Sequence, residues 1–430
     1  MSHPLRLAAT LLGFASAAAA GDAPLQLHLA DAIRLAATTV PVSVAKLESA
    51  IAQAGLGAQR ATLLPQLSFT SSAVRQVEYY PQLNGDPSSI GPFNVLDARL
   101  RVGQVLIDGD AFNRACSAER RLAAAEASAA LALEDAATHA SEAYLQLAQA
   151  QALIEVRTLD LQLAKELLSL AKAQVDAGTA EAITQTRAES RVADEEAALT
   201  AASGAVQEDI IVLARALNLD PGIALVAADP LTENLGAGKV PAGITALLEA
   251  AHHQRPELRV SIETLAAIEA DRRAATGARL PKLQAFADDG RTGSRLNNTL
   301  NTWEFGLQLS VPLLDRSRDD EYAARYRVKQ QNLLLADLGH QVDADVRMAL
   351  VSLDNSRALL IATLESRRLA ELEVDQATAR FTSGVAGNLE LVDAQTTLTS
   401  AREQVLSAQQ ATALGHVHLA RAVGASATVK

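Results

Sequence analysis

Two long proline-free stretches, Asp108 to Gly178 and Asp315 to Gly384, place the strongest constraint on this fold. Proline inside a helix removes a hydrogen bond and clashes with the preceding turn, so its absence over about 70 residues favours one continuous helix. A helix of that length spans about 105 Å, whereas an average globular helix has about 11–12 residues. The sequence therefore predicts a mainly α chain of long antiparallel helical hairpins, arranged as an α-barrel.

Heptad spacing inside these stretches indicates that each helix has neighbours on more than one side. The first seam comprises Leu147, Ile154, Leu161, Leu168 and Val175. A second seam at the same spacing comprises Val156, Leu163 and Leu170. The other stretch repeats the pattern at Val346, Leu353 and Leu360. Two apolar seams on one helix predict a ring or sheet of helices.

The chain also reads as two copies of one pattern. Gly178 and Gly384 are 206 residues apart, and Leu213-Ala214-Arg215-Ala216 and Leu419-Ala420-Arg421-Ala422 have the same separation. A period this long is a duplicated half-molecule rather than a solenoid repeat. The predicted organisation is a signal peptide at 1–20, a first repeat at 21–220, an equatorial linker at 221–243 and a second repeat at 244–430. Within the repeats, 244–278 is expected to form one helix, and Pro41 should end or kink the first helix locally.

Each predicted repeat contains one β-hairpin, at about 66–107 and about 282–314, with predicted loops at 81–92 and 290–301. Residues 301–311 alternate, with Trp303, Phe305 and Leu307 on one face and Glu304 and Gln308 on the other. Strands of about 10 residues, apolar on one face and charged on the other, fit a membrane β-barrel. A soluble half-buried sheet shows the same alternation and, on this pattern alone, is equally consistent.

Aromatic residues mark the same strands. We expect an aromatic girdle near the hairpin-loop ends of the strands, where a β-barrel meets the membrane interface. Its members are Tyr79, Tyr80, Phe93, Trp303 and Phe305.

The first twenty residues resemble an export signal. Arg6 precedes an apolar run that ends in Ala18-Ala19-Ala20, a small-residue cleavage pattern, although a frayed alanine-rich N-terminus remains an alternative. No later apolar run reaches about 20 residues, so no membrane-spanning helix is expected. An exported protein without such a helix is consistent with the β-barrel interpretation.

Composition excludes several other classes. The formal net charge of −12 argues against a nucleic-acid partner, and one cysteine, Cys116, excludes a disulfide framework. His252-His253 and the pair His416 and His418 have spacings that do not share a helix face, so no metal site is predicted. No catalytic triad or phosphate-binding loop is present, and neither cofactor nor enzyme activity is expected. The charge run Asp194-Glu195-Glu196 is expected to lie on a solvated helix face.

Four strands cannot close a barrel, because the smallest barrels have about eight. Open strand edges are forbidden in lipid, where unpaired backbone groups find no water. The membrane interpretation therefore requires several copies of the chain: two would give eight strands and three would give twelve.

The arrangement resembles the TolC-like outer-membrane efflux protein family over essentially the whole mature chain. The segments that carry the resemblance are Leu63-Leu64-Pro65-Gln66-Leu67, Gln104 to Asp108 with Asn113, Ala177-Gly178 before Ala188-Glu189, Arg255-Pro256-Glu257-Leu258, and Thr382-Ser383-Gly384 before Leu391-Val392-Asp393-Ala394-Gln395. The resemblance implies a homotrimer with a 12-stranded barrel in the outer membrane on a 12-helix periplasmic tunnel. It further implies a periplasmic adaptor (membrane fusion protein) and an inner-membrane RND or ABC pump as partners, or a type I secretion system.

The same resemblance suggests roles for the helix tips. Glu390 and Asp393 match positions whose acids line the periplasmic entrance, so three chains would provide six carboxylates that attract cations. The alternative is that Glu390 only favours the helix N-terminus and Asp393 is solvated. The entrance lock of the family is incomplete, because Phe381, Ala386 and Thr184 occupy its Tyr, Arg and Asp positions.

The turns at the ends of the long helices are the predicted adaptor-docking tips. Glycine at each turn permits a left-handed helix cap, and Asn388 is expected to cap the returning helix. The residues assigned to the tips are Gly178, Thr179, Gly384 and Val385, within 175–183 and 381–389. Two tight helical hairpins without a partner would explain the same residues.

The function predicted from these features is a passive outer-membrane channel-tunnel that exports drugs, other small molecules or secreted protein for a pump. A secreted or periplasmic coiled-coil scaffold without a pore is the alternative. A periplasmic adaptor would also contain long hairpins, but it should include a domain of many short strands, which the sequence does not show.

Overall fold

The structure is a computed structural model that describes residues 24–80, 88–238, 240–241, 243–313, 317–383, 385 and 388–429. The predicted signal peptide at 1–20 lies outside the described residues and stays a prediction. The eight helices of the described chain are α1 Leu29–Ala36, α2 Val40–Ala61, α3 Gly109–Asp176, α4 Ala182–Ala216, α5 Ile244–Gln254, α6 Pro256–Gly277, α7 Ser317–Thr382 and α8 Asn388–Val423. Its six strands are β1 Leu25–Leu27, β2 Gln66–Tyr80, β3 Ser88–Ile107, β4 Leu225–Ala227, β5 Lys282–Arg295 and β6 Asn298–Ser310.

The two long helices confirm the reading of the proline-free stretches. α3 has 68 residues and α7 has 66, each unbroken. In α7 the predicted seam of Val346, Leu353 and Leu360 is buried. In α3, Leu147 is buried, whereas Ile154 and Leu161 of the same seam are half-buried. The seam of α3 therefore leaves apolar surface available for a further partner.

Proline positions explain where the shorter helices break. Pro41 is the second residue of α2, in a first turn where its missing N–H is not needed, so α1 and α2 are separate helices as expected. The region 244–278 was expected to form one helix, but Pro256 begins α6 directly after α5 ends at Gln254. That prediction is wrong because a proline can start a helix but interrupts one that precedes it.

Two helical stretches, Leu29–Ala61 and Ala182–Ala216, are long and apolar enough to cross a membrane by length and composition. The sequence prediction that no helix spans the membrane stays a prediction. It required an uninterrupted apolar run, whereas these stretches combine alanine and valine with polar residues. Core helices of soluble proteins pass the same test, so the criterion alone assigns neither stretch to a membrane.

The described chain divides into two compact units. Unit 1 comprises the described parts of Met1–Val40, Leu133–Leu247 and Val346–Lys430, and unit 2 comprises those of Pro41–Ala132 and Leu248–Asp345. The core of unit 1 contains Leu29, Tyr144, Leu147, Leu213 and Val417, all inaccessible to solvent. A two-stranded parallel sheet of β1 and β4 lies beside this core, and the sequence reading missed it because each strand has three residues.

Unit 2 contains an antiparallel sheet with the strand order β2-β3-β5-β6. Its strands are longer than expected, because β5 continues to Arg295 and β6 begins at Asn298 where a loop over 290–301 was predicted. The residues 81–87 of the other predicted loop lie outside the described part. Among the described residues, β2 and β6 pair on one side only and form the edges of the sheet.

Candidate functional site

The turn after α3, in unit 1, has the left-handed cap that the sequence predicts. Gly178 has φ +72°, and the N–H of Thr179 donates to the Gln174 carbonyl at 2.9 Å. No atom lies within 4 Å of a Cβ added at Gly178, so the backbone angle rather than crowding favours glycine. Thr179 is exposed beside it. This turn therefore presents a small, open surface.

The turn after α7 is described in part. The N–H of Val385 donates to the Arg380 carbonyl at 3.0 Å, and the Val385 side chain is 72% exposed. Gly384, Ala386 and the side chain of Asn388 lie outside the described residues, so the predicted cap and the predicted Arg-position substitution stay predictions. An apolar side chain with this exposure is available to a partner.

The two predicted entrance acids have different surroundings. Glu390, in the first turn of α8, forms an ion pair with Arg380 of α7, with 3.0 Å between Glu390 Oε1 and Arg380 Nε. Asp393 is exposed, and its carboxylate makes no ion pair with a described residue. Glu390 and Asp393 thus share a stretch of helix, as predicted, but Arg380 offsets the charge of Glu390. The sequence reading did not include Arg380.

The predicted gate residues Phe381 and Thr184 are not equivalent. Phe381 is 5% exposed and packs with Val374 and Leu391 between α7 and α8. The ring is therefore held in the hairpin core of the single chain, and its assignment to the entrance lock stays a prediction. Thr184 is half-buried in α4, and its role stays a prediction.

A buried ionic network joins α3, α4 and α8 within unit 1. Arg191 Nη2 lies 2.7 Å from Glu195 Oε1, and Arg402 Nη1 lies 2.5 Å from Asp160 Oδ1. Arg157 contacts Glu195 as well. Burial raises the pKa of Glu195, although Arg191 and Arg157 oppose the rise.

The sequence reading took the run Asp194-Glu195-Glu196 for a solvated face. That interpretation is wrong for Glu195, which is 2% exposed. The spacing of Arg191 and Glu195, four residues apart on one helix, was the available signal.

The two histidine pairs have different surroundings. His252 Nε2 lies 2.8 Å from Asp343 Oδ1 in unit 2. Burial, together with the positive charge of Arg357, lowers the pKa of His416 in unit 1. Across the described residues, no group of three or more His, Cys, Asp or Glu side chains could hold a metal ion.

The sheet of unit 2 has two chemically distinct faces, which its register defines. On β6, Trp303, Phe305, Leu307 and Leu309 share one face, which we call the apolar face. Its members elsewhere in the sheet include Leu67, Phe69, Leu100 and Val102. All eight side chains are exposed in the single chain.

The aromatic residues on this sheet lie at two levels rather than one. Trp303 and Phe305, 68% and 74% exposed, stack with centroids 5.7 Å apart in the middle of β6. Along the register, Trp303 shares a row with Phe69, whereas Tyr79 lies ten residues farther along β2. The expectation of a single girdle at the hairpin-loop ends is wrong for Trp303 and Phe305.

Phe93 is a further correction to the girdle. It pairs with Gln76 and shares the face of Asp97 and Arg99, opposite to that of Tyr79. The period of two in β3 already placed Phe93 with the charged residues, so the sequence contained this signal. The side chain of Tyr80 lies outside the described residues.

The opposite face of the sheet, which we call the charged face, carries a hydrogen-bonded network. Arg99 Nη1 lies 3.0 Å from Asp288 Oδ1, and Arg99 Nε lies 2.8 Å from Asp97 Oδ2. Thr292 donates to Asp97 at 2.5 Å. Arg101 lies over the Phe286 ring, 5.3 Å from its centroid. A sheet with one apolar and one charged face is suited to separating lipid from water.

Comparison with known proteins decides the family. The profile described as "Outer membrane efflux protein" matches residues 37–219 and 247–425. The chain belongs to the outer membrane efflux protein family. It is an outer-membrane efflux channel with long helical hairpins and membrane β-strands.

The characterised relatives have low sequence identity to this chain but match most of its length. The chain is 25% identical over 377 residues to the solvent efflux pump outer membrane protein SrpC of Pseudomonas putida, covering 82% of this chain and 78% of SrpC. It is also 25% identical over 288 residues to the pyoverdine export outer membrane protein OpmQ of Pseudomonas aeruginosa, covering 66% of this chain and 60% of OpmQ.

Solved structures confirm the fold. The outer-membrane channel OprN superposes with a TM-score of 0.81 at 20% identity, covering 92% of this chain and 90% of OprN. The outer membrane protein VceC of Vibrio cholerae gives 0.81 at 19% identity, covering 92% and 96%. CusC gives 0.82 at 18% identity, covering 95% of each chain.

Proposed function

We propose that three copies of this chain form one passive export duct. The observation that carries the proposal is the four-stranded sheet with two edges and an exposed apolar face. Because β2 and β6 run antiparallel to each other within the sheet order, β6 of one copy can continue the same pattern with β2 of the next. Three copies would give a closed 12-stranded barrel, with no edge left in lipid.

The test is assembly and conductance of the purified mature protein. We expect a detergent-soluble particle with the mass of three chains, and stepwise current when it is added to a planar bilayer. A monodisperse single chain in detergent-free buffer would contradict the proposal and favour the non-pore scaffold.

We further propose that the duct works with a periplasmic adaptor and an inner-membrane pump and catalyses nothing itself. Relatives named for solvent efflux and for pyoverdine export support small organic molecules as cargo rather than secreted protein. Deleting the gene should raise the sensitivity of the cells to organic solvents or amphiphilic drugs, and the intact gene should restore resistance.

The internal duplication stays part of this proposal. Each proposed repeat contains two long strands, a long helix and a return helix, and the family profile matches the chain in two segments. The linker at 221–243 contains β4, which pairs with β1. Expression of the two repeats as separate chains, followed by co-assembly, would support the division.

The entrance proposal now rests chiefly on Asp393. Since Arg380 neutralises much of the Glu390 charge, Asp393→Asn should reduce the preference for K⁺ over Cl⁻ more than Glu390→Gln does. Arg380→Gln should increase that preference. Reversal potentials under a KCl gradient measure all three. Unchanged selectivity in the Glu390→Gln, Asp393→Asn double variant would contradict the proposal that these two acids line the entrance. The proposed position of Thr184 at the same entrance would then lose its support.

The tips Gly178, Thr179, Gly384 and Val385 are the proposed adaptor-docking surface. The exposure of Val385 and the open space around Gly178 support this role. Val385→Asp should abolish co-purification with the adaptor while trimer mass and single-channel conductance stay unchanged. Asn355→Asp, at an exposed position of α7 away from the turn and from Asp393, is the control. Equal adaptor recovery from both variants would contradict the docking role.

A further inference from the structure

In the central rows of its register, the charged face of the sheet in unit 2 carries three acids and two bases. These five are Asp97, Asp288 and Glu304 against Arg99 and Arg101, whereas Lys282 and Glu78 lie toward opposite ends of the same face. The apolar face opposite is suited to lipid, so in the proposed barrel the charged face surrounds the lumen. The following inference rests on that proposed barrel.

Four of these five charges already have partners within the chain. Arg99 is held between Asp97 and Asp288, and Asp288 is buried. Arg101 pairs in register with Asp288, lies over the Phe286 ring and makes no ion pair with a described residue. Charged groups that are paired in this way are fixed in position and are less available to interact with an ion in the lumen.

Glu304 differs from the other two acids. It is exposed, it pairs in register with Asp288, and its carboxylate makes no ion pair with a described residue. On the same face of its own strand, the neighbours are Thr302, Gly306 and Gln308, none of which is basic. Within one chain, therefore, nothing described neutralises Glu304.

Barrel closure would not neutralise Glu304 either. It lies on the edge strand β6, whose neighbour in the closed barrel would be β2 of the next copy. The described side chains of β2 on the charged face are Gln66, Ser68, Thr70, Ser72, Val74, Gln76 and Glu78. None is basic, so this conclusion holds for any register between the copies. Arg75, the basic residue of β2, belongs to the opposite face.

We propose that Glu304 is a specificity-determining residue of the channel. Three copies would place three uncompensated carboxylates at one level of the barrel lumen, forming a ring that favours cationic solutes. A ring of acidic side chains on a low-dielectric wall raises the local cation concentration. This ring is separate from the acids of the helix tips, which belong to unit 1.

The first test is ion selectivity of the assembled channel. In about 0.1 M KCl, where screening extends over about 10 Å, Glu304→Gln should lower the K⁺/Cl⁻ permeability ratio roughly twofold or more. The effect should shrink in about 1 M KCl. Glu304→Asp keeps the charge and should keep the ratio, and Gln308→Asn is a neutral control on the same strand and face.

A second variant tests the charge after assembly, so that a folding defect cannot imitate the result. Glu304→Cys, in a Cys116→Ala background, can be modified in the assembled channel with a methanethiosulfonate reagent. An anionic sulfonatoethyl group should restore the permeability ratio, and a cationic trimethylammonium-ethyl group should lower it further. Equal ratios after both modifications would overturn the proposal.

The outcomes separate this inference from the proposed function. A wild-type protein that forms no conducting trimer would overturn the barrel and the ring together. A conducting trimer whose selectivity is unchanged by Glu304→Gln would overturn the ring alone.

Discussion

Unit 1 and the sheet of unit 2 use large apolar side chains in opposite ways. In unit 1, Leu29, Tyr144 and Leu213 are completely buried within one chain. In the sheet, Trp303 and Phe305 remain more than two-thirds exposed. Since burial of such side chains contributes about 1.5–3 kcal/mol each, the single chain stabilises unit 1 but leaves that contribution unused in the sheet. The sheet therefore depends on lipid and on further copies of the chain.

Polar groups follow the same contrast. In unit 1, Asp229 accepts hydrogen bonds from the Tyr144 hydroxyl and the Leu29 N–H, each at 2.8 Å, which satisfies buried groups within one chain. In the sheet, the two edge strands leave backbone N–H and C=O groups that only another strand can satisfy. A complete core and an incomplete sheet in one chain are expected of a subunit whose assembly occurs in a membrane.

The largest effect should come from a charge on the apolar face. Leu307→Arg places a guanidinium where lipid is expected, at a cost of about 2–4 kcal/mol per copy near the bilayer centre. Because three copies carry the change, we expect loss of the trimer from the outer membrane. The yield of heat-stable trimer in membrane extracts measures it.

Gln308→Arg is the matched control for that change, since Gln308 is the next residue and lies on the charged face. It should assemble normally and reduce the preference for cations. Equal assembly of both variants would show that neither face contacts lipid, and loss of the trimer in Gln308→Arg alone would show that the two faces are reversed.

Elements with a long-range pattern were predictable from the sequence. The proline-free stretches became α3 and α7, and the alternation at 301–311 became β6, because each signal repeats over many residues. Short elements were not: β1 and β4 pair through three residues each, and their pairing depends on the core beneath them. Strand ends in β5 and β6 also differed, since the tight turn between them contains no glycine or proline that marks it.

Site residues were harder to predict because a role depends on neighbours distant in sequence. Phe381 matched a family position, yet α8 covers it. Glu390 was expected as a free carboxylate, and Arg380, ten residues earlier, pairs with it. The period of two along each strand does predict the face on which Phe93 lies. It also predicts that Glu304 has no basic neighbour on the same face of its own strand. Pairing across the sheet, which the sequence does not give, was needed to show that Asp288 is held by Arg99.

The smallest effect is expected from changing His28, because this residue only adds an ion pair to the core of unit 1, which is already complete. Its Nδ1 lies 2.8 Å from Asp229 Oδ1. The hydrogen bond with Asp229, followed by the charge of that residue, raises the pKa of His28. Burial pushes the pKa of Asp229 upward, but hydrogen bonds from His28, the Leu29 N–H and Tyr144 together lower it.

The pH dependence of this pair follows from the two directions. The contribution of His28 is fully present below its unfolded pKa of about 6.5 and is lost as pH rises through the higher folded value. The contribution of Asp229 is present above its unfolded pKa and is lost as pH falls through the lower folded value. Between about pH 4 and 6.5 both are present. At higher pH a neutral imidazole with its proton on Nδ1 still donates to Asp229, so only the charge is lost.

Hydrogen exchange at the Leu29 amide reports on this pair directly, because its N–H donates to Asp229 Oδ2. With rates corrected for the intrinsic pH dependence of exchange, His28→Gln should reduce protection of that amide at pH 5.5, and the difference from wild type should diminish by pH 8.5. The Trp303 amide in the sheet is the control and should not respond. Equal protection of the Leu29 amide in both proteins at pH 5.5 would contradict the prediction. It would show that Tyr144 and the surrounding core hold Asp229 without the histidine, and that the exposed ion pair adds no measurable stability to unit 1.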